Sequence, residues 1–189
     1  MVALDPIPLG DLVSVVQGVT ESVNRGIIRL INPFHFLENG LQSTNIHLRI
    51  LLWTTGLDAL LMATTPKRFV ERLCNFLGGD TFVFPPLELF GQPKYRIKDV
   101  ASDLYDLRSC IAHGKEIPRK YRRPCGFVDV EERSIEGYSN VYQYRQVLVE
   151  CALFLLCRAL RKVFVSNLVQ TVGKQKEWRR MLDTTQAIL

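Results

Sequence analysis

The segment Ile46–Ala63 is apolar on nearly every side when it is placed on an α-helix, and Asn45 precedes it as a candidate N-cap. A helix of this kind lies in the middle of a core, so other elements have to surround it. Arg49 and Asp58 interrupt the run, and a membrane span needs about twenty predominantly apolar residues. The sequence therefore predicts a soluble helical protein built around this segment.

Apolar residues at intervals of three and four predict further helices on both sides of the central one. The first of these helices runs from the cap Asp11 to about Ile31, and Pro33 follows it. Two more are predicted from Thr65-Pro66 to Gly78-Gly79 and from Ile97 to His113, where Gly114 ends the helix. A long helix is predicted from Val141 to Val172, with Asn140 as its cap and Gly173 after it, and a polar tail helix around Trp178 covers about 174–186.

Two stretches, residues 79–94 and 114–139, are predicted to be irregular, with a possible short strand at Phe127–Val130. The fold class that follows is all-α, a bundle of about five core helices. We expect one domain over residues 1–189, with a core of about 45–172 that carries the functional motif.

Charge and cysteine content restrict the function classes. The net charge of +5 and the pI of about 9.0 permit an anionic partner such as RNA. The five cysteines include no C-x-x-C pair, and His35 and His47 have no ligand-like neighbours in sequence, so we predict no metal site, no cofactor and no disulfide framework. The N-terminus does not resemble a signal peptide, and the protein is expected to be cytoplasmic.

The helix that ends at Gly114 carries an arginine at an unusual position. On an ideal helix Arg108 falls in the middle of the apolar face, where a guanidinium is costly unless an acceptor satisfies it. A salt bridge to Asp58, the acid in the central helix, would explain the arginine without any catalysis. Such a pair would still leave N–H groups available for a phosphate.

A polar stripe runs along the opposite side of the same helix and ends at His113. Asp106 and Ser109 belong to this stripe. The free carbonyls at the helix end should raise the pKa of His113, and Asp106 could support that effect, which suits proton transfer near neutral pH. The alternative is that His113 only caps the helix carbonyls.

These residues resemble a known family. The segment 105–114, YDLRSCIAHG, contains the R-x-x-x-x-H motif of the HEPN superfamily as Arg108 and His113. Together with LLWTTGLDALL at 51–61 and the F-x-x-R-L of Phe69–Leu73, it is similar to the ApeA-like branch. The resemblance covers about residues 45–118.

The resemblance implies a helical bundle that dimerises, so that two motif-bearing helix ends form one metal-independent endoribonuclease site. The helical geometry agrees with this, because an apolar face that bears Arg108 suits a symmetric interface with a second copy of the chain. Arg108 would hold the scissile phosphate, and His113 would transfer protons as the RNA 2′-OH attacks. Asp58, Ser109 and Asp106 would support them. The family association is with antiviral defence, abortive infection and toxin–antitoxin systems, so RNA, a second copy of the chain and an antitoxin or sensor are the expected partners.

The chain departs from the family pattern at two positions. The branch often has glutamate where this chain has the shorter Asp58, and toxins that are silenced by a nucleotidyltransferase have tyrosine where this chain has Lys115.

Basic residues after the motif are candidates for RNA binding, with Tyr121 available for base stacking. A solvated charged loop is an equal alternative. These residues are Lys115, Arg119, Lys120, Tyr121, Arg122 and Arg123.

Two other functions remain open. One is a non-catalytic module of the same family that binds RNA or nucleotide or mediates assembly. The other is a helical interaction protein in which the motif arose by chance. If Arg108 were sealed in the core and fully paired with Asp58, the helical interaction protein would be favoured.

Overall fold

The most apolar helix lies at the centre of the bundle. The computed structural model describes residues 25–84, 95–122 and 144–184. Helix α2 (Ile46–Leu61) begins at Asn45, whose side-chain oxygen accepts hydrogen bonds from the N–H groups of His47 and Leu48. Seven residues of α2 are buried, eight are half-buried and Leu48 is exposed, and the helix contacts several other helices. The predicted cap and central position are confirmed.

Helix α1 (Arg25–Gln42) continues through a proline. We expected the first helix to end before Pro33, and this boundary is wrong. A proline inside a helix costs about 3 kcal/mol, because it removes one backbone hydrogen bond and crowds the preceding turn. Leu30, Pro33 and Leu37 are buried, and each large apolar side chain contributes roughly 1.5–3 kcal/mol. Burial against the core therefore offsets the local cost.

Helices α3 (Pro66–Leu77) and α4 (Ile97–Ala112) follow their sequence signals closely. The Thr65 hydroxyl accepts from the N–H of Arg68, and a proline occupies the first turn of α3. Between the two helices, Phe82 and Arg96 form an isolated antiparallel bridge. Residues 85–94, most of the predicted irregular stretch, lie outside the described part of the chain.

The last long helix is shorter than its periodicity indicates. Helix α5 (Tyr144–Val165) is separated from α6 (Val169–Gly173) by a break at Asn167, where φ is +53°. The N–H of Leu168 donates to the carbonyl of Val163 at 2.8 Å and closes the helix end. The prediction of one helix to Val172 is therefore wrong. Asparagine is one of the few residues that adopt this left-handed conformation readily.

Helix α7 (Gln175–Asp183) is the predicted tail helix, but it is part of the core. Trp178 and Leu182 are fully buried, and the indole N–H of Trp178 donates to the carbonyl of Leu60 at 2.8 Å. The Trp178 ring packs edge-on against Phe76. Only the outer face of α7 is polar.

A buried arginine joins three helices. Arg72 on α3 is 1% exposed and donates to the carbonyls of Leu61 and Met62 at the end of α2, at 3.0 and 2.6 Å. Its Nε and Nη2 atoms bind the two carboxylate oxygens of Asp183 on α7, at 2.7 and 3.0 Å. The hydrogen bonds of Arg72 satisfy free carbonyls at the end of α2, and its two-pronged contact with Asp183, the Arg72–Asp183 fork, attaches α7 to the bundle.

The described ranges contain seven α-helices and a 3-10 turn at Arg119–Arg122, and the helices share a hydrophobic core. The all-α bundle expected from the sequence is confirmed. The predicted helix start at Asp11, the possible strand at Phe127–Val130 and the cap Asn140 fall outside the described residues, as does Arg123.

Candidate active site

Backbone hydrogen bonds close the end of α4 and fix the position of His113. His113 caps the helix, and Gly114 follows with φ of +61°. The N–H of Gly114 donates to the carbonyl of Ile111 at 3.2 Å, and that of Lys115 donates to Cys110 at 2.9 Å. This pair of bonds is a Schellman motif. The predicted stop at Gly114 is confirmed, and His113 is exposed.

Arg108 contacts the acid of the central helix. Its Nη2 atom lies 3.5 Å from Oδ2 of Asp58, and the two side chains are 23% and 17% exposed. The guanidinium also lies over the ring of Tyr105, 5.4 Å from its centroid. The intramolecular salt bridge that the sequence left open is therefore present, and the shorter aspartate reaches the arginine.

The ion pair uses only part of each charged group. Nε of Arg108 and Oδ1 of Asp58 are both buried and have no hydrogen-bond partner among the described residues. Burial raises the pKa of Asp58, and the charge of Arg108 opposes this shift. Arg108 is thus neither fully paired nor sealed from solvent. Its unpaired Nε is itself buried, so a ligand can reach only the exposed part of the side chain.

Most of the apolar face of α4 is covered within the chain. Val100, Leu104 and Leu107 are fully buried, whereas Ala112 is exposed. We expected the face that bears Arg108 to form a symmetric interface with a second copy. Among the described residues that face is largely occupied by the chain's own core, and its most exposed residue is Ala112 in the last turn of α4.

Asp106 does not support His113 through a contact that the structure shows. Its Oδ2 atom accepts a 2.6 Å hydrogen bond from the Tyr121 hydroxyl and lies 3.3 Å from Nζ of Lys120. The hydrogen bond from Tyr121 lowers the pKa of Asp106; burial opposes this shift, and Lys120 adds to it. The carbonyl of Ser109 accepts the His113 N–H at 3.1 Å. Asp106 therefore anchors the 3-10 turn, and Ser109 contributes to the helix end.

The basic segment after the motif is divided between structural and accessible residues. The interpretation of Tyr121 as a stacking residue is wrong, because its side chain is fully buried. Lys120 pairs with Asp103 and Asp106, and Arg122 pairs with Glu116 at 3.0 Å. The exposed side chains that make no ion pair with a described residue are Lys115 and Arg119.

A carboxylate and two tyrosines that the sequence did not connect hold this region together. Asp103 accepts hydrogen bonds from the hydroxyls of Tyr144 at 3.0 Å and Tyr121 at 3.3 Å. The two tyrosine rings stack 6.3 Å apart. Burial and the neighbouring carboxylates raise the pKa of both phenols well above the ordinary value. Asp103 thereby ties α4 to α5 and to the 3-10 turn.

The two motif residues lie at the same end of α4 but in different surroundings. Arg108 is turned toward α2 and Asp58, whereas His113 is at the exposed helix cap. On an ideal helix the two positions are about 140° apart. A site that uses both side chains on one phosphate therefore requires a rearrangement of this helix end or a second copy of the chain.

Among the described residues no three histidine, cysteine or acidic side chains lie close enough together to hold a metal ion.

No single described helix is long and apolar enough to cross a bilayer. Helices α2 and α3 taken together have the length and apolar composition of one span, but the two are bent by 75° relative to each other.

Comparison with protein-family models, with curated proteins and with solved structures finds no match for this chain. The geometry of the α4 end and the motif resemblance over about residues 45–118 are therefore the features that bear on function.

Proposed function

We propose that this protein is a metal-independent endoribonuclease of the HEPN type, with Arg108 and His113 as catalytic residues. The observation that carries the proposal is the incompletely satisfied Arg108, whose buried Nε has no described partner, on the same helix end as an exposed histidine. A partly buried guanidinium with unused donors suits a site that binds an oxyanion. The exposed Lys115 and Arg119 add positive charge where an RNA backbone would approach.

The chemistry assigns one task to each residue. Arg108 binds the non-bridging oxygens of the scissile phosphate and neutralises charge as the pentacoordinate phosphorus forms. The 2′-oxygen bonds to phosphorus while its proton passes to a base, and the bond from phosphorus to the 5′-oxygen breaks as that oxygen takes up a proton. His113 serves as a proton-transfer group in this exchange. The products are a 2′,3′-cyclic phosphate and a 5′-hydroxyl.

The separation of the two side chains favours a composite site. In a symmetric dimer, Arg108 of one copy and His113 of the other can approach the same phosphate without distortion of α4. The accessible last turn, where Ala112 and His113 are exposed, is the part of α4 that such a dimer can use. The dimer is therefore expected to be centred on this turn rather than on the buried face.

The biological setting proposed with this activity is cytoplasmic RNA cleavage in antiviral defence, abortive infection or a toxin–antitoxin system. A sensor or an antitoxin would control such an activity. Because Lys115 stands where nucleotidylated toxins carry tyrosine, control by modification at that position is not expected.

The second candidate is a non-catalytic module that binds RNA or nucleotide or mediates assembly. The contact between Arg108 and Asp58 within one chain favours it, since an arginine held by its own core needs no substrate. A dimer in which the two His113 side chains lie far apart would support this alternative.

The test is cleavage of a single-stranded RNA in the presence of a chelator. We expect His113→Ala and Arg108→Ala to abolish cleavage. His35→Ala changes another exposed histidine, on α1, and should cleave as the wild type does. Circular dichroism and thermal unfolding check that each variant is folded. Cleavage by folded His113→Ala at the wild-type rate would refute the assignment.

A further inference from the structure

The ion pair between Arg108 and Asp58 is looser than the Arg72–Asp183 fork. In the fork, two nitrogen atoms bind the two carboxylate oxygens at 2.7 and 3.0 Å. Arg108 reaches Asp58 through one nitrogen, and the 3.5 Å from Nη2 to Oδ2 is longer than a charge-assisted hydrogen bond. Nε of Arg108 and Oδ1 of Asp58 have no partner among the described residues. The pair therefore lacks the geometry that makes a buried ion pair stabilising.

The carboxylate of Asp58 gains little from this contact. Its side chain is 17% exposed, and burial raises its pKa although the charge of Arg108 opposes the shift. The loss of hydration thus outweighs the attraction to the arginine. A neutral side chain of the same shape is expected to fold at least as well at this position. Stability does not account for a carboxylate here.

The charge of Asp58 acts on the part of Arg108 that solvent reaches. The arginine side chain is 23% exposed, and a phosphate of the substrate would bind to this exposed part. Unit charges a few ångströms apart at a half-buried site interact several times more strongly than in bulk water, and salt screens them less. The carboxylate therefore repels an approaching phosphate and compensates the guanidinium charge that would attract it.

We propose that Asp58 is an autoinhibitory counter-ion, which lowers the affinity of the Arg108 site for the phosphates of RNA. The inference rests on the proposed ribonuclease function, because it concerns the phosphate contact of Arg108. It gives Asp58 a restraining role in place of the supporting role that the resemblance implies. The ring of Tyr105, 5.4 Å from the guanidinium, holds Arg108 in place without the help of the carboxylate.

Binding of a 2′-O-methyl RNA oligonucleotide, which has no free 2′-hydroxyl to attack the phosphate, tests the inference by fluorescence anisotropy. We expect Asp58→Asn to bind roughly tenfold more tightly than the wild type, and Asp58→Glu, which keeps the charge, to show no such gain. Asp80→Asn is the matched control for net charge. Asp80 is 80% exposed and pairs with Lys98 at the opposite end of α4, so this change should alter the affinity by less than about twofold.

A double variant shows whether Asp58 acts through Arg108. Asp58→Asn should give no gain in a protein that also carries Arg108→Gln. Thermal unfolding checks that each variant is folded, and Asp58→Ser is a second neutral replacement should the asparagine variant fail to fold. The inference is overturned if the neutral variants bind no more tightly than the wild type, if Asp80→Asn gives the same gain, or if the gain persists without Arg108. These outcomes are separate from the ribonuclease assignment, which fails if the folded wild type does not cleave unmodified RNA.

Discussion

Arg108 and Asp58 form an ion pair at 3.5 Å in which each group leaves one buried atom unpaired. Charged groups in this environment are costly, and only part of that cost is recovered by their mutual attraction. Part of the Arg108 side chain remains exposed, and it is through this part that the proposed contact with a phosphate would form. The same pair gives a first prediction about pH.

Burial raises the pKa of Asp58 in the folded state, so folding favours the protonated carboxyl. The stability of the wild type relative to Asp58→Asn should therefore fall as pH rises from the unfolded-state pKa of about 3.9 through the folded-state value. Urea unfolding of both proteins from pH 3.5 to 7 measures this difference. A difference that grows with pH would mean that attraction to Arg108 outweighs burial.

The buried fork between Arg72 and Asp183 predicts a loss of stability at neutral pH. Asp183→Asn removes a charged partner from an arginine that is 1% exposed. Because Asp183 itself is half exposed, we expect a cost of about 1–2 kcal/mol in the free energy of unfolding, below the value for a fully buried pair.

Acid should diminish the difference in unfolding free energy between the wild type and Asp183→Asn. Hydrogen bonding to Arg72 lowers the pKa of Asp183, so the contribution is present above the unfolded-state pKa and is lost as pH falls through the folded-state value. Glu177→Gln on the same helix breaks an exposed pair with Lys174, the residue that precedes α7, and should change the unfolding free energy by less than about 0.5 kcal/mol. Equal effects of the two substitutions at neutral pH would contradict the structural role of Arg72.

Gly114 should resist replacement for conformational reasons alone. Its φ is +61°, and a Cβ at this position would meet no atom within 4 Å. Gly114→Ala should therefore cost about 1 kcal/mol through the left-handed backbone, and Gly114→Asn should cost less. Thermal unfolding of the three proteins gives the order. An alanine variant as stable as the wild type would show that the Schellman end of α4 is not retained in solution.

The exposed cations after the motif should contribute to RNA affinity, and the buried tyrosine beside them should not. Lys115→Gln and Arg119→Gln should each weaken RNA binding and reduce the slope of log affinity against log salt by roughly 0.7. Arg161→Gln, at an exposed arginine on α5, is the control for net charge. Fluorescence anisotropy at several salt concentrations measures both quantities. Identical slopes for all three variants would remove these residues from the RNA surface.

Local signals in the sequence predicted several helix boundaries correctly. Asn45, Thr65-Pro66 and Gly114 each act within one turn of their own position, through a side-chain cap, a fixed φ or a positive φ. Pro33 was misjudged because its local penalty is offset by burial against residues distant in sequence. Asn167 did carry a local signal for a helix stop, but continued apolar periodicity concealed it.

The candidate site was predicted in part. The contact between Arg108 and Asp58 was one of the alternatives that the sequence left open, because Asp58 is the sole acid in the central helix but has a short side chain. The burial of Tyr121 did not follow, because its basic neighbours are exposed and only the fold brings Asp103 and Asp106 to its hydroxyl. The fork of Arg72 with Asp183 joins residues 111 positions apart, a separation that no local pattern encodes.

The most direct test of the ribonuclease mechanism is an analysis of the ends of the cleaved RNA. The wild type should cleave an RNA oligonucleotide in a chelator, leaving a 2′,3′-cyclic phosphate and a 5′-hydroxyl. A single 2′-deoxy substitution at the cleaved position should prevent cleavage there, because the attacking hydroxyl is missing. Products with 5′-phosphate ends, or equal cleavage at the 2′-deoxy position, would contradict the proposed roles of Arg108 and His113.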